Sequence, residues 1–232
     1  MIRLAALLVA LAGAAAAECR QALALGLDVS GSVDAAEYRQ QLDGLAAALG
    51  SPEVRARLLE PAGAPVRLAV YDWSGPSTQR LVLPWTAIDG AAALDGVIAR
   101  LRDTRRVPGE QSTALGVAMT YGLALLEQQE NCWRRTLDLS GDGPSNGGPR
   151  PQDLPRDFGD ITINGLVIGG IPEAGDDREQ DLRQLGAYFE ANVIRGPGAF
   201  VELALGYENY EAAMRRKLLR ELAALAIGFV AD

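Results

Sequence analysis

Three short segments carry side chains whose types and spacing could do chemistry. The first is Asp28-x-Ser30-x-Ser32, where a carboxylate closes an apolar run and two hydroxyls follow at alternate positions. The second is Asp142, set in a Gly-Asp-Gly turn after another apolar run. The third is Thr113, in Gly109-Glu110-Gln111-Ser112-Thr113-Ala114. Two carboxylates and three hydroxyls make an all-oxygen donor set. Such donors suit hard divalent cations, Mg²⁺ first, with Mn²⁺ or Ca²⁺ as alternatives. Taken singly, Asp, Ser and Gly after a strand are ordinary turn and capping residues. The chemistry therefore depends on whether the fold brings the three segments to one place.

The surrounding elements favour that. Ala22–Leu27 reads as a buried parallel strand, and Asp34-Ala-Ala-Glu37 as the capping box of a helix running to Leu49. A short helix is expected over Glu53–Leu59, a strand over Val66–Asp72 and a short antiparallel edge strand over Gln79–Leu83. Helices follow over Ile88–Leu101 and Ser112–Gln129, then a buried strand over Arg134–Ser140 and a short helix over Pro151–Phe158. Thr162–Ile168 and Ala199–Leu205 read as the last strands, with helices over Leu182–Asn192 and Tyr207–Val230. This alternation specifies an α/β fold: three layers, doubly wound, with a mostly parallel sheet and one antiparallel edge strand. Open sheets of this kind bind ligands beyond the carboxyl ends of their strands. Asp28 and Asp142 both follow strands, and Thr113 opens a helix.

Composition narrows the function. The chain has 232 residues, 48% apolar and 22% charged, enough for one domain with a full core. Its net charge of −8 excludes a general nucleic-acid footprint and opposes an anionic membrane surface. Histidine is absent, which removes Ser-His-Asp and Cys-His catalysis and His-containing zinc sites. Arg3, Leu4–Leu11 and Ala15-Ala16-Ala17 read as a secretory signal over residues 1–17, leaving a single domain over residues 18–232. Glu18 precedes Cys19, so that cysteine is not placed as a lipoprotein cysteine. The expectation is an exported protein, periplasmic or secreted, with no stable membrane span. The two cysteines of such a chain are expected to pair.

With its three oxygen-bearing segments set in this alternation, the chain from Ala22 to about Val230 resembles the von Willebrand factor A domain with its metal-ion-dependent adhesion site. The stretches DVSGSVDAAEYRQQ, YDWSG, LDLSGDGPSNGG, TINGLVIGG, NVIRGPGAFVELA and RRKLLREL look like an uncharacterised bacterial family of exported proteins of this type. The resemblance implies that Ser30 and Ser32 bind the cation directly and Thr113 directly or through water. Asp28 and Asp142 would act mainly through bound waters, which Mg²⁺ gives up reluctantly. A cation held by neutral hydroxyls keeps charge in reserve, and the implied partner is a protein presenting an acidic side chain. In that fold the strands leading to Asp28 and Asp142 are parallel neighbours. Cys19 lies nine residues before Asp28 and Cys132 ten before Asp142. The resemblance thus implies a Cys19–Cys132 disulfide at the opposite end of the sheet.

Two other functions stay open at this level: a metal-assisted hydrolase using Asp28 or Asp142, and a scaffold with a structural metal. No G-x-S-x-G, P-loop or dinucleotide fingerprint accompanies the first. Asp138 reads as a structural polar residue of its strand, and Tyr71 and Trp73 as packing residues. Ser145 and Asn146 fit turn chemistry or the rim of the site; Arg105 and Arg106 fit a solvated loop. Glu173, Asp176, Asp177 and Glu179 read as a solvated acidic loop, with a weak Ca²⁺ site as the alternative.

Overall fold

The computed structural model describes residues 19–60, 64–169 and 178–223. The expected signal over residues 1–17, the part of the expected last helix beyond residue 223, and Glu173, Asp176 and Asp177 lie outside the described residues. Glu179 lies inside them and pairs with Arg183 at 3.2 Å.

Six strands form one sheet: β1 (Gln21–Asp28), β2 (Val66–Trp73), β3 (Gln79–Ile88), β4 (Arg135–Gly141), β5 (Ile161–Gly169) and β6 (Val201–Leu205). Their order is β3-β2-β1-β4-β5-β6, parallel except for the β2–β3 pair at one edge. Helices α1 (Ala35–Gly50), α2 (Pro52–Leu59), α3 (Ala91–Asp103) and α6 (Tyr210–Ala223) cover one face, and α4 (Leu115–Glu127) and α5 (Arg178–Asn192) the other. This is the three-layer, doubly wound α/β architecture expected from the alternation of elements.

β1 lies in the middle of the sheet and is buried along its whole length. Leu23, Leu25 and Leu27 face the α1/α6 core, while Ala22 and Ala24 face the α4 core. Gly26 continues the small side. A Cβ there would sit 2.7 Å from the Tyr71 ring. Glycine therefore lets that ring lie against β1, where the Tyr71 hydroxyl donates to the Ala118 carbonyl at 2.8 Å. Tyr71 and Trp73 are both fully buried and serve packing.

Several boundaries differ from the sequence expectation. β3 continues past Leu83 to Ile88, because the missing N–H of Pro84 is tolerated on an edge strand and a register shift sits beside it. The helix expected from Ile88 accordingly starts at Ala91. The long helix starts at Leu115 rather than Ser112, since Ala114 N–H donates to the Ser74 carbonyl at 2.8 Å instead of continuing a helix. The stretch expected as a helix over Pro151–Phe158 is a single 3-10 turn, Pro151–Asp153. α5 begins at Arg178, ahead of Leu182, and β6 begins at Val201 rather than Ala199. A 3-10 turn over Tyr207–Asn209 precedes α6.

β4 is unusual in turning three polar side chains toward one buried face. Thr136 accepts from Gln21 Nε2 at 3.1 Å, Asp138 pairs with Lys217 Nζ at 2.9 Å, and Ser140 and Tyr210 share a hydroxyl bond of 3.1 Å. Burial pushes the Asp138 carboxyl up to about 7 against the pull of Lys217, and Glu221 adds to the rise. Asp138 thus has its partner in the interior.

At the amino end of the sheet, Cys19 and Cys132 form a disulfide with a Cα–Cα distance of 4.4 Å. They face each other as a parallel bridge that continues the β1–β4 register, in which Ala22 pairs with Arg135. The bond spans 113 residues of sequence. In the chain-entropy model, closing a loop of that order is worth up to about 4.7 kcal/mol. Reduction, or the Cys19→Ser/Cys132→Ser double variant, should lower the urea midpoint by a stability loss of up to that size. Equal midpoints with and without reductant would show that the bond contributes nothing.

Candidate metal centre

The carboxyl ends of β1 and β4 bring the first two segments together. Asp28 is fully buried at the end of β1, and its Oδ1 accepts from Ser30 N–H at 2.7 Å. Gln41 Nε2, from α1, donates to the Asp28 carbonyl at 2.8 Å and holds the strand end against the helix. Ser30 Oγ lies 3.2 Å from Ser32 Oγ, and Ser32 donates to Asp142 Oδ1 at 2.8 Å. Asp142 Oδ2 accepts from the Tyr207 hydroxyl at 3.1 Å. Ser30, Ser32 and Asp142 thus form one hydrogen-bonded chain, with Asp28 beneath it.

Thr113 joins through the backbone. Its N–H donates to Asn146 Oδ1 at 2.7 Å, and its carbonyl accepts from Asn146 N–H at 2.9 Å and Gly147 N–H at 3.2 Å. Asn146 follows Asp142 in the same loop, so the second segment pins the third. Gly31 N–H donates to the Gln111 carbonyl at 3.1 Å, which ties the third segment to the first. A Cβ at Gly31 would lie 2.9 Å from that carbonyl oxygen, so the approach requires glycine there. Among the described residues no hydrogen bond joins the Thr113 hydroxyl to the other four side chains.

Two supports escape sequence reading. Arg106 is not merely solvated: its Nη2 donates to the carbonyls of Val33 at 2.9 Å and Val29 at 3.3 Å, clamping the loop that carries Ser30 and Ser32. Tyr207 reaches Asp142 from 65 residues away, and nothing in its local sequence marks it. Asn146 and Ser145 did carry a signal, their place just after Asp142. Ser145 Oγ donates to the Thr113 carbonyl at 3.3 Å.

The electrostatics are those of a site short of positive charge. Burial pushes the Asp28 carboxyl up to about 8, and the Asp142 charge adds to the rise against the Ser30 hydrogen bonds. Burial also raises Asp142, against the hydrogen bonds from Ser32 and Tyr207. Asp28 Oδ2 is buried and has no hydrogen-bond partner among the described residues. An orphaned carboxylate oxygen at a strand end, opposed by a second carboxylate, fits a cation. No three Asp, Glu, Cys or His side chains converge among the described residues. The donor set that does converge is two carboxylates with hydroxyls, which suits a hard cation and not a soft-metal site.

A doubly wound sheet with hydroxyl and carboxylate loops at the β1 and β4 ends is the fold of von Willebrand factor A domains. The chain belongs to the family described as "Protein of unknown function (DUF1194)", whose model matches residues 18–226. No curated protein matches it. Among solved structures, the von Willebrand factor type A from Catenulispora acidiphila matches with a TM-score of 0.56 at 16% identity, over 89% of this chain and 43% of that one. Proximal thread matrix protein 1 from the mussel byssus matches with a TM-score of 0.59 at 14% identity, over 89% and 47%. A second structure of that mussel protein is described "with zinc occupied MIDAS motif". The pilus adhesin SpaC from Lactobacillus rhamnosus GG matches with a TM-score of 0.57 at 12% identity, over 89% and 31%. At these identities the likeness is one of fold, and this chain spans less than half the length of each.

The charge balance gives a direct test. Asp28→Asn keeps the acceptor for Ser30 N–H and removes a carboxyl that burial first, and Asp142 second, makes costly to ionise. In EDTA it should raise stability by at least about 1 kcal/mol, the worth of a single pKa unit. Urea unfolding near neutral pH reads this; a loss of stability would mean that burial and Asp142 do not penalise the Asp28 carboxylate.

Proposed function

We propose that this protein is an exported, metal-dependent protein-binding module. Residues 1–17 are its signal and residues 18–232 its single domain. Ser30, Ser32 and Thr113 hold one divalent cation, Mg²⁺ in the first instance with Mn²⁺ or Ca²⁺ as alternatives, and Asp28 and Asp142 act from behind them. The observation that carries the reading is the buried, unpartnered Asp28 Oδ2 at the base of the Ser30–Ser32–Asp142 chain. The mussel protein's occupied MIDAS motif and the pilus adhesin, both of the same fold, support it.

The division of labour follows from charge. Asp28 and Asp142 are the anionic groups that favour a cation at the rim. The hydroxyls of Ser30, Ser32 and Thr113 orient it without neutralising it. A cation so held supplies an electrophilic centre for an acidic side chain of a partner protein. Gln41 and Arg106 fix the backbone of the loop, and Tyr207 and Ser32 orient Asp142. The reading is one of adhesion: the residues bind and orient, and none is assigned a bond-breaking step.

Calorimetry with Mg²⁺ should find one site, lost in the Asp28→Ala/Ser30→Ala double variant. Mg²⁺ at about a hundredfold its dissociation constant should add about 2.7 kcal/mol to the stability of the unaltered protein and nothing to the variant. A partner captured from the exported fraction should be released by EDTA. Unchanged Mg²⁺ affinity in the double variant would overturn the site. Stabilisation by Mg²⁺ without Mg²⁺-dependent capture would make the metal structural.

A further inference from the structure

The interior contains a second chemical constellation, remote in purpose from the rim. Lys217, the only lysine of the chain, is fully buried on α6. Its Nζ lies 2.7 Å from Glu221 Oε1, one helical turn on, and 2.9 Å from Asp138 Oδ1. Asn164 is the register partner of Asp138 on the adjoining strand β5. Its Nδ2 donates to the same Glu221 Oε1 at 2.7 Å. Its Oδ1 accepts from Phe200 N–H at 3.1 Å. The Phe200 ring lies 5.0 Å from Lys217 Nζ and is stacked on its other contact by Arg220 at 3.8 Å. Asp138, Asn164 and Glu221 are all nearly inaccessible to solvent.

An ion pair alone does not account for this composition. Two carboxylates surround one ammonium, and neither Asp138 oxygen nor Glu221 Oε2 has a hydrogen-bond partner among the described residues, so Asp138 Oδ1 meets Lys217 through charge alone. An interior pair is expected to balance its charges and fill its acceptors. The excess here is proton-accepting capacity, placed where an amine and a carboxamide share one oxygen. Each member of the set matches a role in acyl transfer. Lys217 is a buried ammonium that becomes a nucleophile once a neighbouring carboxylate takes its proton, Asn164 Cγ the electrophile, and Phe200 N–H a donor already on the carbonyl oxygen. Glu221 touches both the amine and the nitrogen that would leave.

The geometry points to an intramolecular isopeptide bond between Lys217 Nζ and Asn164 Cγ, formed once after folding. Lys217 passes a proton to Glu221, and the free amine adds to Asn164 Cγ. Negative charge moves to Oδ1, where Phe200 N–H meets it. Glu221 then returns its proton to Nδ2 while Asp138 takes the second proton from Nζ. The Cγ–Nδ2 bond breaks, ammonia departs, and it leaves as ammonium with the proton Asp138 took. One C–N bond forms and one breaks, and no oxidant or cofactor enters. The folded core supplies proximity, which in well-oriented intramolecular reactions replaces a large part of the barrier. A single turnover suffices, so a rare proton distribution is no obstacle.

The experiment is an intact-mass measurement on the full chain purified from the exported fraction, reduced and alkylated. The expected mass falls short of the sequence mass of the processed chain by one ammonia. Peptide mapping should then find one branched peptide joining the Asn164 and Lys217 segments. Glu221→Gln keeps a hydrogen-bond acceptor for Asn164 but cannot carry the proton, and should restore the missing mass. Lys217→Arg should do the same. Full mass in the unaltered protein, fresh and after prolonged incubation, would overturn the inference and leave an ion-pair cluster. An ammonia loss that maps to any other residue would overturn it as well.

Discussion

The parallel pairing of β1 with β4 is the constraint on which the rest of the molecule depends. A single offset runs the length of both strands, from the Cys19–Cys132 bridge through Ala22 opposite Arg135 to Gly26 opposite Leu139. At one end that offset is locked by a covalent bond. At the other it brings Asp28 level with Gly141, one residue before Asp142. Slipping the pair by one residue would turn every side chain of β1 to the wrong face, sending leucines into the space that Ala22, Ala24 and Gly26 leave for Tyr71. Packing, crosslink and rim therefore all report one register.

The rim is assembled from polar groups that the protein satisfies with unequal care. The backbone of the Asp28–Val33 loop is held by Gln41, Arg106 and the Gln111 carbonyl, and Thr113 is held by Asn146. Ser32 and Tyr207 occupy the two oxygens of Asp142. Asp28 Oδ2 alone among these carboxylate oxygens is left bare. Support that thorough around one orphaned oxygen separates a site from a defect, because a merely strained loop would relax toward its missing partner.

What could be read from the chain beforehand follows from how local each cause is. Asp28 and Asp142 stand out because an apolar run ends at each, and a strand's end is a local event. The Cys19–Cys132 pairing needed only counts that agree to within one residue along two strands of a fold the chain resembles. Tyr207 and Arg106 could not be found that way, since their partners lie 65 and 73 residues distant and neither sits in a periodic pattern. Pro84 misleads because it breaks most strands, and only an edge position with an irregular ladder excuses it. The late start of α4 is set by Ser74 and Asn146, which belong to other loops. Local rules identify the donors; the contacts that aim them are tertiary.

The burial of Lys217 has a practical side. It is the sole lysine, it is fully enclosed, and every other cationic side chain is arginine. The folded domain therefore shows no side-chain amine to solvent on any face. Amine-reactive dyes, biotin esters and amine-coupling sensor surfaces would find nothing to grip on its side chains, and lysine-directed crosslinkers would miss its complexes. Mapping its contacts calls for carboxylate- or arginine-directed chemistry.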